Sequence, residues 1–135
     1  MKKNLLTVAA VLLAGGLYFL YLKGYILANF ESLTPKQAYE MIQNDPDVVV
    51  LDVRTPQEYA EGHLQGSTLV PVQTIDRALG EGKLEPLKGK KIVVYCRSGV
   101  RSVKASRKLA DHGFVPYNVK GGINAWKSEG LPVVR

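Results

Sequence analysis

Apolar positions divide the chain into two unlike parts. Residues 5–22 (LLTVAAVLLAGGLYFLYL) run without a charge. As a helix rising about 1.5 Å per residue, such a run spans roughly 27 Å, close to the ~30 Å hydrocarbon core of a bilayer. From Glu31 onward the pattern changes to short apolar runs alternating with helix-periodic segments. Residues 48–51 (VVVL) and 91–95 (KIVVY) read as strands buried on both faces, the first ending at Asp52. Residues 67–70 read as a short strand and 115–119 as a further one. Thr34-Pro35-Lys36-Gln37 and Thr55-Pro56-Gln57-Glu58 each carry a capping residue, a proline at the first helical position and a capping-box partner. Ala38, Met41 and Ile42 continue the first helix with an apolar face. Gly62 stops the second at Glu61. Further helices are predicted over residues 74–79, over 101–112 with Gly113 as the stop, and over 123–128 carrying Trp126.

Strands alternating with helices predict an α/β fold built on a parallel sheet. Residues 31–135 are enough for one core and too few for two. Residues 1–30 then form an N-terminal transmembrane helix and a short connector over 24–30. Tyr18, Tyr21 and Tyr25 toward its far end suit an aromatic interface belt. A cleaved signal is the competing reading, with Ala14-Gly15-Gly16 as the small residues. The apolar run continues past that point, which favours a retained single-pass anchor. Lys2 and Lys3 before the span, against Lys23 after it, lean toward a domain on the extracytoplasmic side, periplasmic or cell-surface.

The net charge is +6, and Lys2, Lys3 and Lys23 hold half of it. Lys90, Lys91, Arg97, Arg101, Lys104, Arg107 and Lys108 follow one another without an acid among them. Such a run fits a solvated helix face, nucleic acid, a membrane surface or a small anion. Its one aromatic, Tyr95, falls in the strand read as buried, so a nucleic-acid platform is not expected. It brackets Cys96, which favours a small anion. A single cysteine excludes an intramolecular disulfide, a CxxC pair and a cysteine-rich zinc site.

In parallel sheets ligands bind beyond the carboxyl ends of the strands. That edge should hold Asp52, Cys96 and Gly121. The segment KIVVYCRSGVRS reads as a buried strand, a glycine-bearing loop over 96–101, and a helix. Gly99 permits the curl of the loop. Its backbone N–H groups, with Arg97 and Arg101, would cradle an anion and stabilise a thiolate at Cys96.

These segments resemble the rhodanese family over essentially the whole of residues 31–135. LDVRTPQEYAEGHLQGS, VVYCRSGVRS and GFVPYNVKGGINAW are similar to three of its ordered motifs. The resemblance implies a central parallel sheet of about five strands with helices on both faces. It implies a sulfurtransferase that moves sulfane sulfur from thiosulfate or a similar small anionic donor, through a Cys96 persulfide, to cyanide, a thiol or a protein acceptor. The binding loop would be Arg97, Ser98, Gly99, Val100, Arg101 and Ser102. Asp52 and Arg54 would brace it, His63 would be structural, and no metal or organic cofactor is implied. Related phosphatases and arsenate reductases have five residues between the cysteine and the arginine, whereas four separate Cys96 from Arg101. Ser98 stands where many thiosulfate-preferring members are basic, which leaves the donor open. The resemblance also allows a membrane-tethered persulfide relay, or a non-catalytic binding or signalling module. His112 falls at a helix C-terminus, and Trp126 is expected in the core.

Overall fold

The computed structural model describes the backbone of residues 2–135 and the side chains of residues 4–135. The charges of Lys2 and Lys3 used above therefore lie outside the described side chains. Helix α1 (Lys2–Leu22) is long and apolar enough to be a membrane span or a signal sequence.

Five strands form one parallel sheet in the order β1-β5-β4-β2-β3: β1 (Glu31–Leu33), β2 (Val49–Asp52), β3 (Thr68–Leu69), β4 (Lys91–Tyr95) and β5 (Val115–Val119). Sequence patterning did not mark β1, which pairs Glu31, Ser32 and Leu33 with Tyr117, Asn118 and Val119. Three residues carry too little alternation to be read as a strand, so its identity comes from its neighbour.

Helices cover both faces. Val93 and Tyr95 of β4 pack on one side with Ala38 of α2 (Pro35–Asn44) and with Ile123 and Trp126 of α6 (Gly122–Ser128). Ile92, Val94 and Cys96 pack on the other with Ile75 of α4 (Ile75–Gly80) and with Ala105 and Leu109 of α5 (Val100–Asp111). This is the alternation of a strand buried on both faces.

The caps form as the sequence predicts. Thr34 and Gln37 close a capping box on α2, and Thr55 and Glu58 close one on α3 (Pro56–Glu61). Helix α5 begins at Val100, one residue before the predicted start, because Gly99 takes a left-handed φ of 110° and caps it directly. Trp126 is buried, donates to Pro132 O at 2.8 Å and meets Tyr39 edge-on. His112 caps the C-terminus of α5, as expected.

Residues 24–30 are more than a connector. Arg107 of α5 donates to the carbonyls of Tyr21 (2.6 Å), Ile26 (3.2 Å) and Leu27, and its guanidinium lies 3.9 Å from the centre of the Tyr21 ring. Asn29 donates to Asp111 Oδ1 at 2.7 Å. The end of α1 and the turn after it are thereby docked on α5.

Candidate active site

Cys96 follows the last residue of the central strand β4 and is 1% exposed. The loop after it reverses quickly, because Gly99 permits the left-handed turn. Among the described residues one backbone N–H reaches the sulfur: Gly99 N donates to Sγ at 3.1 Å. The thiol donates to Ser102 Oγ at 3.3 Å, and Ser102 Oγ donates to Asn118 Oδ1 at 2.6 Å. Asn118 Nδ2 lies 3.3 Å from Ser32 Oγ as its donor. Once the thiol proton leaves, the Ser102 hydroxyl has one proton for two acceptors, the thiolate and Asn118.

The loop carbonyls are held from behind. Ile123 N donates to Cys96 O at 2.9 Å, and Asn124 N to Arg97 O at 3.1 Å. This approach needs Gly122, where a Cβ would sit 2.4 Å from Cys96 O and 2.6 Å from Arg97 O. The paired glycines after β5 therefore let α6 press against the Cys96 loop.

The positive charges are distributed differently from the sequence expectation. Arg101 turns to Glu58, with hydrogen bonds of 2.7 and 2.9 Å to its two carboxylate oxygens. The Arg101 hydrogen bonds hold the Glu58 carboxyl down at about 2, against the cost of partial burial. Glu58 was legible as a capping-box residue, and nothing local in the sequence marked its partner. Arg97 is exposed and lines a cleft with Arg54, Glu58, Glu61 and Lys127, in which charges of both signs meet. Ser98 is exposed, Val100 stands partly exposed at the start of α5, and Ser102 is fully buried beneath the sulfur.

Asp52 and Arg54 are buried together on the β2 side of the loop. Arg54 donates through Nε (2.9 Å) and through its terminal nitrogen (2.7 Å) to the two Asp52 oxygens, and also to Gly62 O at 2.6 Å. Burial opposes the Arg54 charge, and the Asp52 carboxylate outweighs it, so its pKa is raised. Tyr95 donates to Asp52 Oδ2 at 2.6 Å and accepts from Leu64 N at 3.1 Å. Burial and the neighbouring carboxylate push the Tyr95 phenol upward, so it stays a neutral donor. Neither Asp52 nor Arg54 hydrogen-bonds Cys96; both clamp the turn after β2. His63 stacks on Tyr59 at 3.8 Å, its Nδ1 lies 2.8 Å from Tyr59 O, and its backbone pairs with Val134. No cluster of metal-ligating side chains occurs among the described residues.

Residues 34–129 match the family model of the rhodanese-like domain. A sulfurtransferase of Allochromatium vinosum is 35% identical over 96 residues, covering 70% of this chain and 86% of that protein. A tRNA uridine(34) hydroxylase of Pectobacterium atrosepticum is 39% identical over 113 residues, which is 78% of this chain; the chain spans only about a third of that longer protein (32%). The crystal structure of a rhodanese-related protein from Thermoplasma volcanium superposes with a TM-score of 0.67 at 34% identity, covering 78% of this chain and 98% of that one.

Proposed function

The chain belongs to the rhodanese-like domain family, and on that premise we propose that it is a sulfurtransferase that carries sulfane sulfur on Cys96. The observation that carries this reading is the seat of the sulfur. Cys96 Sγ lies at the carboxyl end of the central strand, accepts the Gly99 N–H, and touches a hydroxyl able to redirect its proton. Such a seat suits a sulfur anion and, one bond further out, a persulfide.

In the first half-reaction the Cys96 thiolate attacks the outer sulfur of thiosulfate. A new S–S bond forms, the bond to the sulfonate sulfur breaks, and sulfite leaves with the electron pair. In the second, an acceptor thiolate or cyanide attacks the outer sulfur of the persulfide. The Cys96 thiolate departs and the cycle closes. Each step exchanges one bond to sulfur for another, so no external oxidant or reductant enters. Asp52 and Arg54 take no part in bond changes and brace the turn beside the loop.

Residues 1–30 would act as a retained single-pass anchor and connector, with residues 31–135 as the catalytic domain on the extracytoplasmic face. The docking of residues 21–29 on α5 favours a second form of the same chemistry, a relay that hands sulfur to a partner at the membrane.

The test is thiocyanate formation from thiosulfate and cyanide by the full chain in non-ionic detergent, beside Cys96→Ser. Saturable turnover lost in the variant is expected. Undiminished turnover in Cys96→Ser would overturn the assignment. Formation of a persulfide without turnover to cyanide would select the relay.

A further inference from the structure

The end of α1 does not merely lead into the domain. Phe19, Lys23 and Tyr25 form one wall of a cavity whose other wall is the nucleophile loop, at Ser98 and Gly99, with Lys120 and Gly121 beside it. Asn118, which holds Ser102 under the sulfur, also lines it. The cavity measures ≈ 140 Å³. A drug-sized or cofactor site needs roughly 300 Å³ or more, whereas a water takes about 30 Å³. The space suits a small ion and excludes an organic cofactor.

Its charge is of one sign. Lys23 and Lys120 line it, no carboxylate does, and neither lysine enters an ion pair among the described residues. The cleft lined by Arg97 contrasts with it. There Arg97, Arg54 and Lys127 share the space with Glu58 and Glu61; Arg101, which does not line it, is already paired with Glu58. Lys23 is also held in place, because Arg107 fixes the carbonyls of Tyr21, Ile26 and Leu27 on both sides of it. A lysine that only flanked a membrane span would need no such docking.

We propose that the segment after α1 completes the active site: Lys23 and Lys120 form a subsite beside the Cys96 loop for the oxyanion end of a small sulfur donor and for the sulfite it releases. This rests on the sulfurtransferase reading for its ligand and on the cavity alone for its anion preference. The N-terminal segment is then a determinant of donor specificity as well as a tether.

Cys96 is the single cysteine, so alkylation reports on it alone. The probes are iodoacetate and iodoacetamide, used on the full chain in non-ionic detergent at about 0.15 M salt, where the Debye length is ~8 Å and distant charges are screened. The ratio of the two rate constants cancels the reactivity of the sulfur and leaves its preference for an anionic reagent. Lys23→Gln/Lys120→Gln is expected to lower that ratio roughly tenfold, as befits two nearby charges. Lys36→Gln, on α2 and paired with Glu129, should leave it unchanged. An unchanged ratio in the double variant, or an equal fall in Lys36→Gln, would overturn the subsite. Where thiosulfate is turned over, the double variant should raise its KM while kcat stays within about twofold. A chain that shows the alkylation effect without turnover would retain the subsite and lose the donor assignment.

Discussion

Glu58 and Arg101, 43 residues apart, meet in a forked pair of hydrogen bonds that ties α3 to the start of α5. The same carboxylate accepts from Thr55 N and Thr55 Oγ. One side chain therefore caps one helix and holds the arginine that opens the other.

That pairing has a pH signature. Arg101 keeps the folded Glu58 carboxyl at about 2, below its ordinary 4.5. The contribution is complete above pH 4.5 and declines as pH falls toward 2, because the unfolded chain takes up a proton that the folded chain refuses. Glu58→Gln should lower stability by roughly 1–3 kcal/mol near neutrality and flatten the acid limb of the stability curve. Thermal unfolding followed between pH 3 and 7 checks both.

Gly122→Ala should be among the most damaging single-methyl changes in the chain. The new carbon meets the Cys96 carbonyl at 2.4 Å on a residue with φ of 61°. A loss of roughly 2–5 kcal/mol is expected from the combined clash and strain. Gly66→Ala is the control: its φ is 77°, and no atom lies within 4 Å of the added carbon. It should cost only the ~1–2 kcal/mol of the left-handed backbone. Urea denaturation of the two variants separates the terms.

Asp52→Asn keeps the shape and removes the charge that Arg54 needs. A guanidinium 5% exposed is left without its counter-ion. Loss of one partner from a buried pair costs about 3–5 kcal/mol. The variant should unfold early while its remaining folded fraction still reacts with iodoacetamide at Cys96, since Asp52 makes no bond to the sulfur. A titration of unfolding alongside mass-spectrometric labelling reads the two effects separately.

Arg107→Ala should release the segment after α1. Three carbonyls lose their common donor, and Tyr21 loses its stacked cation. Amide exchange over residues 21–30 should accelerate, with exchange in β4 unchanged. Unaltered exchange over 21–30 would show that the docking rests on Asn29 instead.

Most of the architecture was readable from local chemistry. The threonine-proline caps at Thr34 and Thr55, the valine runs of β2 and β4, and the loop glycine at Gly99 each act within a few residues. So does the placement of Cys96, which needs only a strand that ends and a turn that follows. The unread features all join distant residues. Glu31 to Leu33 become a strand only against β5. Glu58 spans 43 residues to reach Arg101, and Arg107 spans 80 or more to reach Tyr21 and Leu27. No periodicity records such contacts, because they arise once the helices are laid on the sheet.

On β4, Tyr95 faces the Asp52 network while its neighbour Cys96 faces the other side. The phenol is bolted to Asp52 and Leu64, so the sulfur is positioned from a residue whose side chain is hydrogen-bonded on the opposite face of the sheet. Carriers that swing their cargo on a flexible arm deliver it to recipients at rest. On the proposed sulfurtransferase reading the cargo would stay at a fixed address, and delivery would require a recipient slender enough to bring its nucleophilic atom down to it.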